Sequence, residues 1–440
     1  PATDTRPVLT LCLVLTLCLV LTLRLVLTWS RSGHRVGCVD RDLPAPVAAL
    51  IAKGVEVRAP WSVDIGPEVD PDRVSGDGVV IHPGCRISGA RTVLSAGVTL
   101  GAEGPVTLVD CHLGPGVALK GGYAADSVFL DGASLGLGHH VREGTLLEEQ
   151  ANGAHCVGLK QTILLPYVTL GSLINFCDCL MAGGRSRRDH SEVGSSYIHF
   201  NFTPEGDKAT PSLFGDVPRG VLLREPPIFL GGQGGSVGPV QVAYGTVVGA
   251  GSILRSDVPV EGQLVVVGPP PSIHQPFTKG AYRTINRSVA RNIEYLANLR
   301  ALRLWYERAR TPFFRAQPLG ELVLEGALEL VDRAWAERTA RLLAMVDKVE
   351  PSDELRQGLR DHLAAVVSAA AVVAPDPARP AVLEVLEAAA RAGTAYLDAV
   401  HALDGEHAAG ATQWLQSVTA AVWGTAQAAI PGLRRLPHPS

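Results

Sequence analysis

Between residues 175 and 216 the sequence NFCDCLMAGGRSRRDHSEVGSSYIHFNFTPEGDKATPSLFGD gathers Arg187, Arg188, Asp189, His190, His199, Asn201 and Lys208. A histidine that titrates near neutrality beside carboxylates takes a proton from an attacking amine or hydroxyl, and arginine or lysine holds an anionic phosphate. The expected chemistry is a phosphate gripped by Arg187, Arg188 and Lys208, a sugar on Asn201, and His190 as general base. Asp189 and Glu192 should favour the protonated imidazole of His190. His199 is the alternative base. The plainer reading of either histidine is a loop imidazole bonded to backbone. Cys177 and Cys179 form a CxC pair, but His190 completes no familiar zinc spacing with them, and no metal is expected.

These residues need elements to position them, and the surrounding sequence supplies a period of six. Ile81, Ile87 and Val93 stand six apart, as do Leu94, Leu100 and Val106, then Leu113 and Leu119, then Val242, Val248, Leu254 and Val260. Six fits neither a helix nor an alternating strand, so each hexamer is one short strand plus a turn and three hexamers close a triangular coil. The expected fold is mainly β, a left-handed parallel β-helix of hexapeptide repeats followed by an α-helical C-terminal domain. Aliphatics should stack inside the prism, with small residues at the corners. Residues 137–160 and 175–235 interrupt the rhythm and are expected to be loops, where binding residues collect.

After GPPPSIHQP (268–276) the composition turns to Ala, Leu, Arg and Glu. Tyr282, Ile285, Val289, Ile293, Leu296 and Leu299 mark a helix expected to run to about Arg310, where Pro312 ends it. Further helices are expected at about 320–349, 353–374, 380–403 and 410–428. The arginines at 283, 287, 291, 300, 303, 308 and 310 alternate with Glu294 and Glu307 and read as a solvated or subunit-facing side. The expected organisation is an apolar low-complexity extension (1–35), a short N-terminal segment (36–60), the β-helix (61–267), a Pro-rich linker (268–277), a helical domain (278–430) and a tail (431–440).

The extension carries VLTLCL, VLTLCL and VLTLRL in tandem from Val8 to Leu25, behind Pro1 and not Met. Near-identical hexamers point to an expanded DNA repeat or an upstream-extended reading frame more than to a selected membrane helix; membrane contact is expected only if residues 8–29 are a real anchor. A net charge of −4 with 19% charged residues gives no basic field, which argues against a nucleic-acid partner. Eight scattered cysteines without a CxxC or a secreted-type framework suggest reduced thiols and a cytoplasmic protein.

The stretch NFTPEGDKATPSLFGD, followed by IFLGGQGGSVGPVQVAYGTVVGAGSILRSDVPVEGQLVV, resembles the C-terminal β-helix of the bacterial bifunctional N-acetylglucosamine-1-phosphate uridyltransferase/glucosamine-1-phosphate acetyltransferase family. Asn201 and Phe202 match that family's Asn-Tyr pair, Lys208 and Thr210 fall near its Lys-x-Thr, and Gly215 with Asp216 match its Gly-Asp. The resemblance implies a homotrimer whose inter-subunit clefts hold an amino-sugar phosphate and acetyl-CoA. A histidine would be the base, Asn201, Phe202 and Lys208 would lie on the sugar, and Gly232 and Ala250 on the co-substrate. The sequence departs from the pattern in three ways: Phe202 lacks a hydroxyl, the loop to Asp216 is longer, and the family's base position falls nearer Asp178 than any histidine.

Separately, LMAGGRSRRD (180–189) looks like the phosphate loop of sugar nucleotidyltransferases. It lies in mid-repeat with no helical pattern behind it, so it reads as a loop of the β-helix. Other readings are a non-catalytic sugar-phosphate or UDP-sugar binding or scaffold protein, and a nucleotidyltransferase-related protein of the UDP-N-acetylglucosamine pyrophosphorylase type. A γ-type carbonic anhydrase would draw on His82, His112, His139, His140 and His155, but its His-x4-His spacing is missing.

Overall fold

The computed structural model describes residues 42–373 and 380–436, and in it the hexapeptide tract forms a left-handed parallel β-helix with strands from Glu56 to Val265. Each strand pairs in parallel with the strand one coil away, and three ladders run along the prism. The first face contains Val80–Ile81, Thr99–Leu100 and Ala118–Leu119, the second Arg86–Ser88, Val106–Val109 and Gly122–Ala125, and the third Val93–Leu94, His112–Leu113 and Ser127–Phe129. Ser134 pairs with Asn152 and Phe229 with Val247, eighteen residues on, so a coil is three hexamers.

The corners require left-handed backbone. Between the second and third faces Asp110, Asp126, Gln161 and Asp178 all have positive φ, a region in which a short polar side chain is better tolerated than a branched one. Inside, Ile81, Ile87, Val93, Leu100, Val106, Leu113, Leu119, Val242, Val248 and Leu254 are buried, as the repeat requires. Val260 departs from the series. It is 52% exposed, because Val258 bridges to Val242 and takes the inward place in the last coil.

Residues 137–160 do not form a loop. His139–Val141, Thr145–Leu147 and Asn152–Gly153 stay in the ladders. Neighbouring coils of sixteen (Ala118 to Ser134) and seventeen residues (Asn152 to Thr169) blur the six-residue spacing without breaking the pairing. Extra chain enters in the coils from Thr169 to Glu192 and from Glu192 to Phe229.

Helix α1 (Ala45–Lys53) buries Val47 and Leu50 at the first coil, and α2 (Val217–Gly220) sits in the second long insertion. The helical region contains α3 (Ile285–Trp305), α4 (Thr311–Arg315), α5 (Gly320–Val346), α6 (Glu354–Ala371), α7 (Ala381–Arg391), α8 (Tyr396–His401) and α9 (Gly405–Ala429). Pro312 does not end the first of these. A π-helical turn, Tyr306–Arg310, links α3 to α4, and Pro312 falls in the first turn of α4, where its missing N–H is harmless. The helix expected over 380–403 is two, parted at Gly393 with φ +77°, and α9 begins early because Asp404 caps it by accepting from His407 N at 2.8 Å.

Of the arginines expected on a solvated or subunit-facing side, Arg287, Arg291 and Arg310 turn to the β-helix of their own chain, Arg300 and Arg303 bond within the helical region, and Arg283 and Arg308 are exposed. Arg291 pairs with Asp257 at 3.0 Å, and Arg310 with Glu148 at 3.1 Å and with Glu149, while Asn298 Oδ1 accepts from Val217 N at 2.8 Å. Buried carboxylates along the prism need those cations. Helix α5 crosses the third face over His112–Leu113, Ser127–Phe129 and Thr145–Leu147. Gly326 makes that approach possible, since a Cβ there would stand 2.5 Å from the His112 ring. The first face stays open, with Phe229, Val247 and Leu264 forming an exposed apolar ladder. The described residues from Pro44 onward cluster as one unit, so helices and prism share a core.

The Val8–Leu25 hexamers, and any anchor over 8–29, lie outside the described residues, as does the end of the tail from 437. Among the described residues no helix is long and apolar enough to cross a membrane, and Cys85, Cys111, Cys156, Cys177 and Cys179 are free thiols.

Candidate functional site

The residues expected to form one site leave the prism at three different corners. Arg187, Arg188 and His190 belong to a short antiparallel hairpin, Gly184–Ser186 with Asp189–His190, between the third face and the first. Asn201, Phe202 and Lys208 belong to the insertion between the second and third faces. Gly232 and Ala250 lie on consecutive coils between the first and second faces, where Gly251 N donates to Gly232 O at 2.9 Å. Within one chain Arg187 and Arg188 therefore leave the prism at a different corner from Lys208. Ten residues, 191–200, run along the first and second faces between the hairpin and Asn201, and so separate two corners of a triangle.

At the hairpin, Arg187 is already committed. Its Nη1 donates to Gln150 O at 2.7 Å and its Nη2 to Thr169 Oγ1. His190 Nδ1 donates to Arg187 O at 3.0 Å, and burial with the Arg187 charge lowers its pKa. The expectation that Asp189 and Glu192 would hold it protonated is overturned: Asp189 is engaged by Arg185 at 2.7 Å, and desolvation outweighs both carboxylates. Arg188 is exposed. The LMAGGRSRRD segment runs from strand into hairpin, without the helix that a nucleotide-phosphate loop opens.

The second corner is built differently. Asn201 Nδ2 donates to Asp178 Oδ2 at 2.7 Å, and Arg338 of α5 reaches Asp178 Oδ1 at 2.9 Å, both members of the ion pair being buried. His199 points into the prism, packed edge-on against Phe176, with Nε2 2.7 Å from Ser212 Oγ. Burial depresses its pKa to about 4, so at neutral pH it is an uncharged imidazole. Gly238 is the thin wall above it, since a Cβ on Gly238 would stand 2.8 Å from His199 Cε1.

Outside that wall lies a cleft of about 360 Å³ lined by Thr203, Glu205, Asp207, Thr210, Gly238 and Pro239 on the β-helix side, and by Gln275–Thr278, Ala281–Thr284, Arg287, Ser288 and Met345 on the other. Its walls are clasped. Tyr282 OH donates to Asp207 Oδ2 at 3.0 Å, Gly280 N to Glu205 Oε2 at 2.7 Å, and Lys348 Nζ to Gly206 O at 3.2 Å. Phe202 is exposed beside it, and Lys208 is exposed on the same loop. Gly215 and Asp216 close the insertion structurally: Asp216 caps α2 and pairs with Arg219 at 2.9 Å, and Gly215 leaves room for the Tyr244 ring.

The "Bifunctional protein GlmU" of Thermotoga petrophila is 27% identical over 220 residues, 48% of this chain and 42% of the relative. That of Mycobacterium tuberculosis is 27% identical over 223 residues (51% and 40%), and that of Mycolicibacterium smegmatis 28% over 223 (51% and 41%). This chain is similar to bifunctional GlmU proteins. It spans about two fifths of the length of these relatives, and no protein-family model matches it. The likeness and the parallel coil together fit a left-handed β-helix domain of the acetyltransferase-like kind.

Sequence reasoning missed the helical wall of the cleft. Tyr282 reads as a core stripe position, Arg283 as one arginine among many, and Arg338 carries no signal in AWAERTAR. The one available hint was Thr210, placed by the Lys-x-Thr resemblance. Among the described residues no group of three His, Cys, Asp or Glu side chains is placed to hold a metal ion.

Proposed function

We propose that this chain works in the sugar-nucleotide pathway by binding an amino-sugar phosphate or a sugar nucleotide in the cleft at the second corner. The observation that carries this reading is the Asn201–Asp216 insertion. The segment that resembles the substrate loop of GlmU-type proteins is also the one that walls the clasped cleft described above. Thr210 offers a hydroxyl partner to a sugar, and Arg283 in the lining, with Lys208 exposed on the same insertion, offers charge to a phosphate. Thermal-shift measurements against glucosamine 1-phosphate, uridine nucleotides and UDP-sugars test it. A ligand at a hundred times its Kd stabilises the native state by about 2.7 kcal/mol. No shift with any of them sinks the reading.

A second reading, acetyl transfer from acetyl-CoA to the amino group, is favoured by the position of His199. Its neutral ring lies one glycine from the cleft, so a proton acceptor is near. Gly232 and Ala250 would face the co-substrate, and a homotrimer would form through the open first face, where Phe229, Val247 and Leu264 stack outward. Thiol release from acetyl-CoA, dependent on glucosamine 1-phosphate and lost in His199→Ala, is the expected result. Sugar-phosphate binding without thiol release leaves the first reading standing alone, and sedimentation equilibrium showing only monomer at micromolar concentration removes the trimer.

A further inference from the structure

Resting on the cleft reading above, we infer that the sugar-phosphate site is completed within one chain, with the start of the helical region supplying its second wall. Two lining groups on opposite walls carry it. Thr210 is 1% exposed and its Oγ1 is buried without a hydrogen-bond partner, so its hydroxyl is paid for only when a ligand atom reaches it. Across the cleft Arg283 is exposed and makes no hydrogen bond or ion pair among the described residues.

The other charged lining groups are already used. Arg287 Nη2 donates to Pro239 O at 2.8 Å and Asp257 Oδ1 at 3.1 Å, Asp207 accepts from Thr203 and Tyr282, and Glu205 accepts from Gly280. The Gly280 and Tyr282 bonds join the insertion to the start of the helical region, and the Arg287 bonds tie that region to the neighbouring coil, so Thr210 and Arg283 are held on facing walls. The arrangement suits a phosphorylated polyol, a ligand hydroxyl donating to or accepting from Thr210 and the phosphate lying on the Arg283 guanidinium.

The test uses the full chain, glucosamine 1-phosphate and glucosamine, with affinities from calorimetry. Thr210→Val is nearly isosteric and Arg283→Ala removes an exposed side chain, so both variants should fold, which circular dichroism verifies. Arg283→Ala should weaken glucosamine 1-phosphate about ten- to a hundredfold and leave glucosamine unchanged, and Thr210→Val should weaken both several-fold. A refolded equimolar mixture of the two variants distinguishes one chain from two. A site within one chain stays weak in the mixture, whereas recovery of a tight-binding fraction places the two groups on different chains and overturns the inference. Tight binding by the wild type with neither variant affected overturns the inference alone, leaving the sugar-phosphate reading intact. Absence of binding by the wild type overturns both.

Discussion

Replacing Glu149 by glutamine should flatten the dependence of folding stability on pH. Glu149 is buried between the β-helix and the π-helical turn, facing Arg310, with Glu148 and Asp131 close by and the Tyr306 and Tyr396 hydroxyls bordering the same guanidinium. Burial raises its pKa from an ordinary 4.5 to about 8, Glu148 and Asp131 push the same way, and Arg310 opposes them. Burial also raises Glu148 and Asp131. The folded protein thus keeps a proton on Glu149 that the unfolded chain has released above pH 4.5. Stability is highest below that value and falls as pH rises towards 8, by up to about 1.4 kcal/mol per pH unit per proton. Between pH 5 and pH 7 that amounts to roughly 2–3 kcal/mol attributable to Glu149. Urea denaturation at half-unit pH steps should show the wild type losing that much relative to Glu149→Gln. Parallel curves for the two proteins would refute the reasoning. Arg310→Met should destabilise by about 3–5 kcal/mol at pH 8, where carboxylates are left unpaired, and by less at pH 5.

Gly326→Ala should lower stability by about 1–3 kcal/mol in thermal melts despite its better helix propensity, because the new methyl meets the His112 ring. Val248→Ala should cost about 1–3 kcal/mol by urea denaturation, whereas Val260→Ala, on the exposed side of the last coil, should stay within about 0.5 kcal/mol. In histidine proton NMR, His199 should show no titration between pH 5 and pH 8; an inflection in that range would contradict its burial.

The period of six made the prism legible, because each inward aliphatic must stack on its counterpart a coil later, and a stack leaves a spacing in the sequence. Coils of sixteen or seventeen residues hide that spacing while the ladder continues, which is why His139–Gly153 reads as an interruption. The polar cluster misled for a related reason. The short path from His190 to Asn201 crosses two strands and the corner between them, so nearby letters point from different edges of the triangle. Arg291, Arg310 and Arg338 were unreadable because their partners Asp257, Glu148, Glu149 and Asp178 lie far away in sequence, and a helix stripe records only its own apolar side. The cleft likewise takes its two walls from segments about 75 residues apart, joined by Tyr282 and Asp207.

Helix α5 also acts as a gauge. From Gly326, above His112, to Arg338, above Asp178, it rises about 18 Å at 1.5 Å per residue. On the prism the same interval is the run of rungs His112, Val128, Leu146, Ile163 and Leu180, four strand spacings or about 19 Å. Solenoids ordinarily lengthen or shorten by whole coils, since each rung touches only its neighbours. Here one coil gained or lost inside the measured stretch slides Asp178 by nearly 5 Å past Arg338 and strands two buried charges. The number of rungs between His112 and Asp178 is therefore locked by the helix that spans them. Chain added at a corner leaves that number unchanged, and the insertion that lines the cleft lies at such a corner.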